Sequence, residues 1–290
     1  MIVGVDVRDH ALHTLVADDV GGVMKRDRRA VGKNALADAL CAVNAHAATS
    51  LGIAARQPRD PALNEAVARA VNAAAPGAAC RLVTHGSGVA IGEHWCGAAR
   101  GHAHVVALNP DSGVDAGIVI DNRPFEGAHG VAGAAGWMAL NPVERDDYRR
   151  FGGLAAEVSA PGIVRRLIWR VKAGDPSAVL DLAGGEFADI TVDHVLTAAR
   201  AGDGVAISVV RDTARYLGMA IANVVAILDP DVVVLGGFVP DAADLLLAAC
   251  RTEVSRRLPA SIMAHLELVA GTLRQDAAAL GAARAAMLAR

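Results

Sequence analysis

The side chains able to do chemistry in this sequence lie in short glycine- and proline-punctuated stretches. His85 sits in the run Val83-Thr84-His85-Gly86-Ser87-Gly88. Its imidazole titrates near neutrality and could accept a proton, although a histidine flanked by glycine and serine is more commonly a solvated loop residue. Gly236-Gly237 follows the apolar run Val232 to Leu235. Without a Cβ, that backbone could approach a ligand closely or simply make a tight turn. The four cysteines, Cys41, Cys80, Cys96 and Cys250, form no C-x-x-C pair or close cluster, so they signal neither a zinc ribbon nor a disulfide framework. They are expected to be reduced and mostly buried.

Composition narrows the setting in which this chemistry operates. With 290 residues, 53% hydrophobic and 20% charged, the chain can fill one large bilobal fold or two modest domains, and disorder is excluded. The 28 basic and 31 acidic residues give a net charge of −3, leaving no excess to neutralise a phosphate backbone, so nucleic acid is not expected as a partner. Trp95, Trp137 and Trp169 are far apart, which argues against a stacking platform for single strands. The longest apolar stretches, such as 219–228, are short of the ~20 residues that span a bilayer. The first residues carry no basic n-region or cleavage site, so a cytoplasmic chain with no membrane partner is expected.

The elements that must position these residues begin with three strands at 2–7, 12–17 and 23–31. Asn34 could cap a helix reaching about Thr49, and Pro61 opens another with Leu63, Val67 and Val71 at helical spacing. A short strand at 81–83, a turn at 85–88 and a helix at 89–99 closed by Gly101 follow. The pattern then repeats, with strands at 105–108, 116–121 and 124–126 around the loop Asn109-Pro110-Asp111-Ser112-Gly113. Helices are expected at 161–173, 191–201, 205–228, 241–258 and from 276 to the end, with a buried strand at 232–235. Two halves that each run from antiparallel strands to helices predict a duplicated α/β architecture with a ligand cleft between lobes.

Three stretches resemble the ROK family of sugar kinases and sugar-responsive repressors: Gly92-Glu93 through Gly101, Ala116 through Gly133 with Gly127-Ala128-His129-Gly130, and Ile227-Leu228-Asp229-Pro230 through Gly236-Gly237. The resemblance implies the two-lobed actin/hexokinase fold. The lobes would be residues 1–103 and 104–274, with a helix at 275–290 returning to the first. In such kinases an Asp followed by Gly-Gly-Thr approaches the nucleotide phosphates. Here Asp6 is followed by Val7, Arg8, Asp9 and His10; the side chains of Asp9 and His10 would occupy that space, and Asp9 adds a repelling negative charge. The family's catalytic Asp falls on His85 or Gly86, depending on where a one-residue gap is placed.

The resemblance places degenerate nucleotide contacts at Asp6, Ser112, Gly113, Gly236 and Gly237, with Asp111 and Asp115 beside them. The ligand cleft would be lined by His85, His129, Trp137 and Glu157. The family's sugar motif Gly-Glu-x-Gly-His reads Gly133-Ala134-Ala135-Gly136-Trp137, so Trp137 could stack on a sugar or fill the volume of an absent zinc cluster. The zinc knuckle's cysteine positions fall on Asp146, Tyr148 and Gly153, and its Glu falls on Ala155, two residues before Glu157. No metal is expected. Compression of residues 54–77 would truncate the sugar-side wall. A chain opening directly on the first strand is expected to lack the repressors' DNA reader.

These departures lead to the expectation of a catalytically impaired ROK-like protein that binds a sugar or other small ligand, forms a homodimer and needs no cofactor. One alternative is a divergent sugar kinase using ATP and Mg, with His85 as its base. The other is a dimeric scaffold without a small ligand.

Overall fold

The computed structural model describes residues 1–32 and 34–289. It is a mixed α/β protein with two five-stranded sheets, the actin/hexokinase-like architecture. Two compact units are present. One comprises Met1–Ala107, Ala116–Gly133 and Gly271–Arg290, and the other Leu108–Asp115 and Ala134–Ala270.

In chain order, the first elements are β1 (Ile2–Val7), β2 (Ala11–Ala17), β3 (Val23–Ala30), α1 (Ala35–Ala42), β4 (Ser50–Ala55), α2 (Pro61–Ala74), β5 (Ala79–Thr84) and α3 (His85–Cys96). The first sheet runs β3-β2-β1-β4-β5, antiparallel through β3-β2-β1 and parallel through β1-β4-β5. Side chains alternate across it. Val3, Val5, Leu51 and Ile53 enter a core with Leu40, Val43 and Val67. Gly4 and Gly52 point to the opposite face, where a Cβ would come within 1.9 Å of the Ala279 carbonyl oxygen and 1.8 Å of the Ala282 carbonyl oxygen, respectively. Asp6 shares the Gly4 face, which helps explain its complete burial.

The chain continues with β6 (Val105–Pro110), β7 (Val114–Ile120), β8 (Arg123–Pro124), α4 (Asp146–Phe151), α5 (Gly153–Val158), α6 (Ala160–Lys172), α7 (Val179–Leu182), α8 (Val192–Arg200) and α9 (Gly204–Leu228). It ends with β9 (Val232–Leu235), α10 (Ala243–Ser255), α11 (Ala260–Met263), β10 (Glu267–Ala270) and α12 (Ala277–Leu288). The second sheet has the order β10-β9-β6-β7-β8. Local capping explains several helix starts: Asp60 accepts from Ala62 N at 2.9 Å before Pro61, and Asp203 accepts from Ala206 N at 2.8 Å. Helix α9 ends on Asp229 in the left-handed region with Pro230 behind it. Among the described residues no helix is long and apolar enough to cross a membrane.

Several local expectations require correction. The helix starting at Asn34 stops at Ala42, and the Asn34 side chain makes no capping bond. Asn44 then turns left-handed at φ 57°, and Ser50–Ala55 becomes a wholly buried parallel neighbour of β1. The left-handed Asn44 ends the helical run, and β4 starts just past the expected helix, its apolar side chains buried between β1 and β5. The expected turn at 85–88 is instead the first turn of α3. Thr84 caps it by accepting from Ser87 N at 3.1 Å, and the helix ends at Cys96 rather than near Gly101. The last helix ends at Leu288, and Arg290 lies outside the described residues. Only Cys250 is buried; Cys41 and Cys80 are exposed and Cys96 is half-buried, and all four are free thiols.

Candidate functional site

In the first unit, β1 ends by delivering Asp6 beside the hairpin that carries Arg8. Arg8 Nε donates to Asp6 Oδ2 at 2.6 Å, a charge-assisted bond to a carboxylate with no solvent exposure. His85, the first residue of α3, places Nε2 3.7 Å from the same oxygen. Asp6 Oδ1 is buried without a hydrogen-bond partner. The hairpin closes through Arg8 N to Ala11 O at 2.9 Å, and Asp9 lies 3.7 Å from Arg56. Thus Asp6 and His85 are brought together around the Arg8 guanidinium, whose pairing with Asp6 the resemblance did not imply. The only signal in the sequence was the two-residue spacing of Asp6 and Arg8, which puts both on one side of an extended chain.

In the second unit, the Asp111-Ser112-Gly113 turn joins β6 to β7, with Asp111 N donating to Gly113 O at 2.8 Å. The Gly236-Gly237 turn packs against the end of β6. Gly236 N donates to Leu108 O at 2.9 Å and Phe238 N to Pro110 O at 3.1 Å. Gly237 has φ +60°, and a Cβ there would lie 1.8 Å from Pro110 O. Backbone packing alone therefore requires this glycine. The two turns predicted to contact nucleotide are neighbours. Asp115 accepts from Asn109 Nδ2 at 3.1 Å, while Ser112 is exposed.

The remaining predicted ligand residues have different surroundings. His129 is exposed in a loop of the first unit. Trp137 is 61% exposed, so it does not fill a volume left by zinc; it borders a cavity of about 410 Å³. Glu157 borders a second cavity of about 770 Å³ and is itself 5% exposed. It accepts from Tyr148 Oη at 2.5 Å and Arg166 Nη1 at 3.0 Å, with Arg145 Nη1 at 3.5 Å. Burial, reinforced by the Glu157 bond, pushes the Tyr148 phenol up to about 12. Burial also lowers Arg166 from its ordinary value, against the raising influence of Glu157. Nothing in the local sequence signalled this cluster, because α5, Tyr148 and Arg166 meet only after folding.

The positions aligned with a zinc knuckle do not suit that metal. Asp146 is the only acidic group among them, Gly153 has no side chain, and Tyr148 donates its hydroxyl to Glu157. Among the described residues no three His, Cys, Asp or Glu side chains converge on one point.

The ROK family model matches residues 73–289. A glucokinase from Thermotoga maritima is 34% identical over 195 residues, covering 67% of this chain and 61% of its own. The transcriptional regulator NagC of Escherichia coli is 28% identical over 187 residues, covering 64% of this chain and 44% of its own. These alignments therefore span only about half to three-fifths of the relatives' lengths. A solved ROK family glucokinase from Streptomyces griseus, in complex with glucose and AMPPNP, superposes with a TM-score of 0.84 at 26% identity over 99% of both chains. From the family match over residues 73–289 and this whole-length likeness, the chain belongs to the ROK family.

Proposed function

We propose that this ROK-family chain binds a sugar-class ligand without transferring phosphate to it. The observation that carries the proposal is the Arg8 guanidinium 2.6 Å from Asp6 Oδ2. The resemblance assigns Asp6 to the nucleotide side, where a carboxylate would serve a hydrated divalent cation. A cation within about 4 Å of the guanidinium would be repelled by about 4 kcal/mol per unit of charge at an effective dielectric of 20. Asp6 thus has its counter-charge built into the chain. Loss of the family's catalytic carboxylate removes a further factor of about 10²–10⁴. The sugar class follows from the glucokinase and repressor relatives.

A second proposal, a divergent kinase, draws on His85 Nε2 at 3.7 Å from Asp6, an imidazole beside a carboxylate that could take a hydroxyl proton. A coupled ATP assay over hexoses and amino sugars separates the two, with ligand-induced thermal stabilisation as the binding readout. Stabilisation by a sugar with no turnover is expected. Turnover near the ordinary enzyme median of about 10 s⁻¹, abolished in His85→Ala, would establish the kinase instead. Stabilisation by none of the sugars would favour a scaffold.

We also propose a symmetric homodimer, using apolar faces of alanine-rich helices in the second lobe. A monomer mass by light scattering across a wide concentration range would refute it.

A further inference from the structure

The larger cavity in the second unit, about 770 Å³, falls within the range of small-molecule sites and is bordered by Glu157. Helix α6 forms one wall, with Arg165 and Trp169 one turn apart and Arg166 and Arg170 likewise. Asp212, Arg215 and Tyr216 of α9 also line it. Its lining contains five arginines against three carboxylates.

These arginines are not equally committed. Arg166 is tied into the interior by Glu157 and by Thr213 Oγ1 at 2.9 Å. Arg165 is held by Asp147 at 3.0 Å and by Ala156 O at 2.9 Å, and Arg170 by Asp175. Arg145 and Arg215 have looser pairings, 3.5 Å to Glu157 and 3.3 Å to Asp212, and their side chains are 60% and 52% exposed. Beside them Trp169 is 69% exposed, presenting a large aromatic surface to the cavity instead of to the core.

We propose that this cavity binds a small organic phosphate with a ring body. Arg145 and Arg215 would contact the phosphate, and Trp169 would pack against the ring. The two loosely paired guanidiniums, Arg145 and Arg215, offer forks that suit the several oxygens of a phosphate better than those of a single carboxylate. The volume exceeds what an inorganic ion would fill, while an exposed indole favours the flat face of a sugar or base. The proposal does not depend on whether Asp6 and His85 support phosphoryl transfer.

Isothermal titration of the full chain with glucose 6-phosphate, adenosine monophosphate, inorganic phosphate and glucose tests it. At least one ring-bearing phosphate should bind more tightly than both inorganic phosphate and glucose. Its affinity should fall by about tenfold or more, equivalent to about 1.4 kcal/mol, in both Arg215→Ala and Trp169→Ala. Both sites are solvent-exposed, so thermal melting should remain close to that of the parent. Arg69→Ala, an exposed substitution in the first unit, should leave binding unchanged. The contrast between the two organic phosphates identifies whether a sugar or a nucleotide body is preferred. Failure of both to bind at up to about 10 mM, or affinity unchanged in the two cavity variants, would overturn the proposal.

Discussion

Removing the Glu93 carboxylate should destabilise the first unit more than almost any other single polar change. Glu93 is buried in α3 and reaches two backbone segments. Oε2 accepts from Ala98 N at 2.7 Å and from Thr272 N and Oγ1, each at 3.3 Å; Oε1 accepts from Leu273 N at 2.9 Å. The two short bonds dominate. Hydrogen bonds to a charged acceptor contribute about 1.5–3 kcal/mol each, and stranded buried donors add their own desolvation cost. Against this, Glu93→Ala relieves burial of a carboxylate and gains a few tenths of a kcal/mol of helix propensity. The net loss should be about 3–4 kcal/mol. Glu93→Gln keeps one carbonyl oxygen but turns an NH₂ toward one donor set, so about 1.5–3 kcal/mol is expected. At about 2–4 °C per kcal/mol for a domain of 150–250 residues, melting should fall by roughly 6–16 °C for Ala and by less for Gln. Calorimetry measures the shift, and hydrogen exchange at the Ala98 and Leu273 amides should accelerate. A fall below about 2 °C for Glu93→Ala, with both amides still protected, would refute the account.

Gly281→Ala sets helix propensity against packing. It gains up to about 1 kcal/mol of propensity, but the new Cβ would lie 1.7 Å from Gly88 O, so the overpacking cost of typically 1–3 kcal/mol should win. Urea denaturation should show a net loss, and a stabilised variant would contradict the close approach of α3 and α12. Burial raises the Asp276 carboxyl, but hydrogen bonds from His13 and Arg26 outweigh it and hold the group down at about 2. Its contribution is therefore present above about pH 4 and lost as pH falls through about 2. After allowance for solvent screening, it should amount to about 1–2 kcal/mol. Comparing the parent with Asp276→Asn by denaturation at pH 5 and near pH 2 should show the difference shrinking in acid. Elemental analysis after chelation should find no stoichiometric zinc, since Tyr148 and Gly153 stand at two of the cysteine positions; one zinc per chain would show the alignment of residues 137–157 to be wrong.

What the sequence by itself determined was local or repeated. Apolar or alternating runs marked β1 and β2; Pro61 marked a helix start; Asp229-Pro230 marked a helix end. The Gly92-Glu93, Gly127–Gly130 and Leu228–Gly237 stretches pointed to the family because their order and spacing survive substitution of the chemical groups between them. Tertiary structure decided the rest. Strand β4 exists because Leu51 and Ile53 have a core to enter beside β1, and β10 because β9 offers it a parallel partner. Residues 85–88 became helix because Gly86 packs against Ala116 and Gly88 against Ala278, contacts that offset the poor helix propensity of glycine. The same holds for the site. Sequence could name Asp6, His85 and Glu157, but the first two meet around Arg8 and the third is claimed by Tyr148 and Arg166. Charges select partners by distance and burial, and those quantities arise only when separated parts of the chain fold together.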